Sequence, residues 1–164
     1  MTAALVALGS NVEPRRAHLL GAVDELAALP DTRVVAVSAL RETAPVDCPP
    51  GSGPFLNAAA LLETALPPRA LLEALLSIEA RHGRRRLAPN APRTLDLDLL
   101  LHGAARVQEP GLTLPHPRMH LRAFVLEPAA EIAPALRHPL LGRTLAELRD
   151  VLAAAGGAEA ACSS

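Results

Sequence analysis

Apolar positions along this chain alternate between unbroken runs and stripes at helical spacing. Residues 3–8 form a run and read as a first strand, closed by the turn-forming Gly9-Ser10-Asn11. Pro14 suits a first helical turn, and Leu19, Leu20, Val23, Leu26 and Ala27 then recur as one stripe. Arg15, Arg16, Asp24 and Glu25 lie off that stripe, and Pro30-Asp31 ends the helix. Residues 33–39 are β-branched and predict a second strand. Proline and glycine dominate residues 43–54, a loop long enough to serve as a lid or binding loop. Residues 55–63 predict a third strand. Pro67-Pro68 opens a second helix with Leu71, Leu72, Leu75, Leu76 and Ile78 as its stripe and Gly83 as its stop. A basic, proline-containing loop over 84–92 leads into a fourth strand over 93–101. Beyond Gly103 the pattern is irregular through Pro110. A short helix is expected over 118–130. Leu145, Leu148 and Val151 mark a last one, and a frayed tail is expected from about residue 153.

This order predicts an α+β fold: a ferredoxin-like β-α-β-β-α-β core, a mainly antiparallel sheet with helices packed over one face, and a helical C-terminal extension. Neither repeats nor a linker interrupt the chain, so residues 1–164 read as one domain. Such a fold hosts many activities, and function has to come from side chains.

Composition narrows the classes. Half of the residues are apolar, as in a globular domain, and the net charge is −1. A nucleic-acid binder working through counterion release would carry a basic surface, so no nucleic-acid partner is expected. The N-terminus lacks a basic n-region, and no run approaches the roughly eighteen apolar residues of a membrane span. A cytoplasmic protein with no membrane partner is the expectation. Cys48 and Cys162 lie far apart, which fits free thiols. All sixteen basic residues are arginine. Phosphate chemistry would therefore use Arg, His, backbone amides or metal, and a Walker-type loop, which needs lysine, is excluded. Tyr and Trp are absent, leaving Phe55 and Phe124 as the aromatic carbocycles.

The most informative stretch is Arg93-Thr94-Leu95-Asp96-Leu97-Asp98-Leu99. On a strand, Asp96 and Asp98 share a face, with Cα atoms roughly 6–7 Å apart, while Leu95, Leu97 and Leu99 face a core. Two carboxylates so placed can converge on hard cations that clamp a phosphoryl group. A solvated edge strand is the plainer alternative. Arg84, Arg85, Arg86 and Arg93 precede or open this strand, and His116 and Arg122 follow it. Guanidinium forks match phosphate oxygens, so cations and carboxylates at one end of a sheet fit a metal–nucleotide site. Phe55, with Asn57 on the same strand face, and Phe124 could sandwich a flat heterocycle; core packing is the alternative use for both.

Several strings in order resemble the 6-hydroxymethyl-7,8-dihydropterin pyrophosphokinase (HPPK) family of folate biosynthesis. They are Leu8-Gly9-Ser10-Asn11, Glu42-Thr43-Ala44-Pro45-Val46, Phe55-Leu56-Asn57-Ala58-Ala59, Ile78-Glu79, Gly83-Arg84-Arg85-Arg86, Pro92-Arg93-Thr94-Leu95-Asp96-Leu97-Asp98-Leu99, Leu114-Pro115-His116-Pro117 with Met119, and Arg122-Ala123-Phe124-Val125-Leu126-Glu127-Pro128. The resemblance implies transfer of diphosphate from ATP to the pterin hydroxymethyl oxygen, releasing AMP. It implies two Mg2+ ions held by Asp96 and Asp98. Arg84, Arg93, His116 and Arg122 would contact phosphates, and Arg86 the moving diphosphate. Arg84, Arg86 and Arg93 join the two aspartates as the catalytic set. Glu79 and the main chain near Leu99 would lie by the nucleotide. Phe55 and Phe124 would stack on the pterin, with Asn57 and the main chain of Thr43 and Val46 reading its edge. A monomer is the expected state. The chain departs from the family where Ala91 replaces a tryptophan and Pro117 a tyrosine. A different magnesium-dependent phosphotransferase on the same scaffold is the alternative reading; a non-catalytic binding module fits the charge pattern less well.

Overall fold

Strand β1 (Thr2–Ser10) occupies the middle of the sheet because it is apolar on both faces. In the computed structural model, which describes residues 1–44, 53–83 and 94–156, it pairs antiparallel with β4 (Phe55–Thr64) on one side and β5 (Asp96–His102) on the other. Strand β2 (Thr32–Val37) lies outside β4, giving the order β2-β4-β1-β5. Helix α1 (Arg15–Ala27) joins β1 to β2, and α2 (Pro68–Arg81) joins β4 to β5. That is the predicted β-α-β-β-α-β core.

Odd and even positions of the central strands serve different cores. Ala4, Val6 and Leu8 of β1 face α1 and α2 with Leu97 and Leu99 of β5, where they meet Leu19, Leu26, Leu71, Leu75 and Ile78. The stripe of α2 at i, i+4 and i+7 produces that burial, each full side chain contributing about 1.5–3 kcal/mol. Leu5 and Ala59 belong to a second core on the opposite face. There Met119, Val125, Leu126, Ala129, Leu145 and Leu148 come from a 3-10 turn (Met119–Leu121), α3 (Ala123–Ile132) and α4 (Leu145–Ala154). Helices thus cover both faces, not the single face expected. A capping box between Thr144 and Glu147 starts α4.

Three further differences bear on the site. The second strand stops at Val37, and a short β3 (Arg41–Thr43) then pairs with the start of β4, its last residue falling where the loop is expected to begin. Ser38 bridges the break: its N–H donates to the Ala59 carbonyl and its hydroxyl accepts the Ala59 N–H, each at 2.9 Å. The stretch read as irregular holds a hairpin, β6 (Val107–Glu109) with β7 (Leu112–Leu114), turning at Gly111 with φ 77°. The short helix expected over 118–130 divides into the 3-10 turn and α3, which carries Pro128 inside it. Among the described residues no helix is long and apolar enough to cross a membrane.

Candidate active site

Cross-strand register builds the floor of the site. Asn57 of β4, Gly9 of β1 and Asp96 of β5 stand in one row across the sheet, and Ala59, Ala7 and Asp98 in the next. Directly paired residues share a face, so Asn57 and both aspartates look the same way, toward the α3 side. Leu97 and Leu99 are buried on the opposite face, as their alternation requires. Gly9 and Ala7 keep the middle of the floor low. A Cβ at Gly9 would come within 3.3 Å of Asn57 Oδ1 and 4.0 Å of Asp96 Cβ.

Over this floor lies a hollow lined by Gly9, Phe55, Asn57, Asp96, Asp98 and Phe124, with Ala7, Leu8 and Val125 at its base. Five of the residues singled out from sequence are thus brought together. Phe55 comes from the start of β4 and Phe124 from the first turn of α3. Asn57 is buried, and its Nδ2 donates to the Thr43 hydroxyl at 2.7 Å, so β3 orients the amide. Helix α3 is tied over the β2–β3 break by Glu131, which accepts the Ala39 N–H at 2.8 Å and pairs with Arg41 at 2.7 Å.

A second hollow lies at the outer edge of β5. It is lined by Leu72 and Leu76 of α2, by Leu97, Asp98 and Leu99, by Gly111, Leu112 and Thr113 of the hairpin, and by His116 and Pro117. Leu99 and His116 therefore meet in one groove, and Asp98 borders both hollows. Because β5 ends the sheet, its outer peptide groups face this groove or its walls. Leu97 gives its N–H there to the Glu79 carboxylate at 2.7 Å, and Leu100 accepts the His116 N–H at 2.9 Å. Glu79 is buried, and its carboxylate fastens α2 to β5 beside the aspartates.

His116 is held neutral. Burial, then the cations of Arg122 and Arg118, bring its pKa from 6.5 down to about 4, with Asp96 opposing them. Its Nδ1 accepts the Arg118 N–H at 3.2 Å, so the neutral ring carries its proton on Nε2. Arg122 is buried, with its guanidinium carbon 5.6 Å from the centre of the Phe124 ring, which puts a cation next to the aromatic wall of the first hollow.

Arg84, Arg85, Arg86, Arg93 and Val46 lie outside the described residues. Sequence reasoning passed over the hairpin wall of the second groove and the part Ala7 plays in the floor. The alternation in 107–114 around Pro110-Gly111 was the available signal for the hairpin.

The chain matches the family model described as 7,8-dihydro-6-hydroxymethylpterin-pyrophosphokinase (HPPK) over residues 5–134. It is 48% identical over 143 residues to the 2-amino-4-hydroxy-6-hydroxymethyldihydropteridine pyrophosphokinase of Pseudomonas aeruginosa, covering 87% of each chain. Identity to the protein of that name from Methylorubrum extorquens is 48% over 136 residues, covering 83% of this chain and 85% of the relative. Among solved structures, an HPPK-DHPS in complex with substrates superposes with a TM-score of 0.74 at 12% identity. It covers 94% of this chain, which spans 44% of that longer one. Wild-type HPPK-DHPS of Plasmodium falciparum gives a TM-score of 0.70 at 13% identity, with 92% and 44% covered. The fold agrees with these structures, and by sequence the chain belongs to the HPPK family.

Proposed function

We propose that the chain transfers the terminal diphosphate of ATP to the hydroxymethyl oxygen of 6-hydroxymethyl-7,8-dihydropterin, giving the pterin diphosphate and AMP in folate biosynthesis. One observation carries this reading: Asp98 stands where a hollow lined by Phe55 and Phe124 meets a groove along the outer edge of β5. The first suits a bicyclic heterocycle and the second a nucleotide, so their reacting ends would meet at the carboxylates.

The pterin stacks between Phe55 and Phe124. Asn57 reads its edge with an amide already anchored on the Thr43 hydroxyl, and the main chain of Thr43 reads it alongside. Val46 completes this edge from the adjoining loop. In the second groove the main chain at Leu99 contacts the base. Glu79 holds β5 in place through Leu97. His116 donates its Nε2 proton to a phosphate oxygen, and Arg122 supplies a second cation. Arg84 and Arg93 contact phosphates, and Arg86 holds the diphosphate in transit. Positioning and charge neutralisation account for most of phosphoryl-transfer catalysis, which this set of residues provides.

Asp96 and Asp98 fit magnesium: two hard oxygen donors on one face are what this ion takes when phosphates complete its shell. Asp96 and Asp98 would hold two Mg2+ ions, which would supply neutralising charge at the triphosphate and make its phosphorus more electrophilic. The aspartates orient them by sharing one strand face. ATP as substrate is in keeping with the cytoplasm.

Product identification tests the reading. Protein, magnesium, ATP and the pterin alcohol should yield AMP and a pterin diphosphate by mass spectrometry. ADP with a pterin monophosphate, or no pterin product, overturns it.

A further inference from the structure

We propose that Arg15 is a positioning residue of the pterin hollow, a role that rests on the function proposed above. The residue opens α1, on the opposite side of the chain's first turn from β1, and nothing in its local sequence marks it for a site. Its guanidinium nevertheless joins three separate parts of the fold. Nε donates to Glu13 Oε1 at 2.8 Å, Nη1 to the Pro54 carbonyl at 2.9 Å and Nη2 to Glu42 Oε2 at 3.3 Å. The Arg15 N–H also donates to Glu13 Oε2 at 3.1 Å, which fixes the base of the side chain.

The two long-range acceptors are the neighbours of hollow-lining groups. Pro54 immediately precedes Phe55, one aromatic wall. Glu42 immediately precedes Thr43, whose hydroxyl anchors the Asn57 amide. Thr43 and Phe55 face each other in register as the last pair of β3 with β4. That ladder has three residue pairs, too few to hold a strand in place unaided. Arg15 closes it from outside: one planar, five-donor group bonds the strand on either side of the terminal pair. The Arg15 side chain is 18% exposed and its bond to the Pro54 carbonyl is partly buried, so that arm sits under the strand ends, while the Glu42 carboxylate, 58% exposed, meets it at the surface. Separating Thr43 from Phe55 would release the Asn57 amide and tilt the Phe55 ring. Both changes fall on the pterin and neither on the nucleotide groove, which lies across the sheet at β5.

Kinetics of variants, with both substrates varied, separate the possibilities. Arg15→Ala should raise the pterin KM about tenfold, the loss expected when charged hydrogen bonds on a partly buried group go. The ATP KM should stay within twofold. Arg15→Lys keeps the charge but cannot span both acceptors, so its pterin KM should lie within threefold of the alanine variant. Glu42→Ala removes one arm only and should raise the pterin KM about threefold, and it should add nothing further in the Arg15→Ala background. A pterin KM within twofold of wild type in Arg15→Ala, a parallel rise in the ATP KM, or full recovery by lysine overturns the role. If Arg15→Ala does not fold, the Glu42→Ala variant decides by the same ratio. Wild-type protein that makes no pterin diphosphate refutes the proposed function itself, and is read in the same assay before any variant.

Discussion

Gly9→Ala is the sharpest test of the site floor. The glycine does not have a positive φ, so alanine meets no backbone penalty there, and its effect comes from the space its methyl group takes. That methyl group would stand 3.3 Å from Asn57 Oδ1, closer than ordinary contact, and 4.0 Å from Asp96 Cβ, which is comfortable. Asn57 must therefore yield, and Asp96 need not. The amide cannot swing away cheaply, because its Nδ2 is committed to Thr43 at 2.7 Å and the residue is buried. Giving up that bond costs about 1 kcal/mol, and overpacking a filled site costs about 1–3 kcal/mol. Taking the lower half of that range, because a few tenths of an ångström suffice, gives about 1–2 kcal/mol against pterin binding, a rise of roughly five- to thirtyfold in pterin KM. Magnesium and ATP dependence should change less than twofold. Steady-state assays with each substrate varied in turn measure this. An unaltered pterin KM, or an equal rise in both KM values, would refute the assignment of Asn57 and Gly9 to a pterin floor.

Other perturbations reach different parts of the site. Asp96→Ala and Asp98→Ala should each lower turnover by at least about a thousandfold while leaving the fold intact by circular dichroism, since on the proposed function each removes a carboxylate that would hold the magnesium neutralising the transferring phosphates; near-wild-type rates in both would remove the pair from the mechanism. His116 should make the fold less stable in acid: its folded pKa of about 4 lies below the ordinary 6.5, so the unfolded chain binds a proton first. Its contribution is full above pH 6.5 and is lost as pH falls toward 4, about 3 kcal/mol in all, and His116→Gln should flatten that part of the urea-unfolding profile in ligand-free protein. His18 and His138, whose pKa values are also lowered, first by burial, slope the same way, so the wild-type minus variant difference is the quantity to plot. Glu79→Ala leaves the Leu97 N–H without its acceptor and should cost about 2–3 kcal/mol, while Glu79→Gln, which can still accept, should cost about half as much; equal losses in the two would mean the hydrogen bond is not what Glu79 supplies.

Much of the site was legible because strand alternation is a rigid rule. Asp96 with Asp98 and Phe55 with Asn57 share faces by count alone, and the register brings both pairs to one face. The number of helical layers was equally written in the chain and was misread. Residues 3–8 form an unbroken apolar run, which a strand solvated on one face has no use for, and β1 is indeed packed on both. The three residues of β3 carry no periodic signal; they are held by their partner strand and by Arg41 on Glu131. Nor could local pattern reveal Arg15, whose acceptors lie 27 and 39 residues away. Such contacts follow from topology, and topology follows from how the whole chain packs.

The position of β5 at the sheet's edge explains how seven residues serve three purposes. Its odd positions bury Leu97 and Leu99 against α2, its even positions present Asp96 and Asp98 to the first hollow, and its outer edge faces the second groove. A central strand would have both edges occupied and could offer a nucleotide no main-chain contact. The arrangement demands strict register, because a slip of one residue would put leucines in the hollow and carboxylates in the core. Three features hold it. Glu79 takes the Leu97 N–H from outside. Gly9 lies opposite Asp96 from inside. Leu100 is the extra residue of a bulge, and its carbonyl is taken by the His116 N–H. The bulge matters most, since it lets both Leu100 and Leu101 join the second core while the strand beyond keeps the aspartates in phase. The bond that fixes His116 to Leu100 therefore couples the placement of the proposed phosphate contact to the register of the two aspartates. A shift in one strand would misplace both, so catalytic geometry and fold stability here answer to the same few hydrogen bonds.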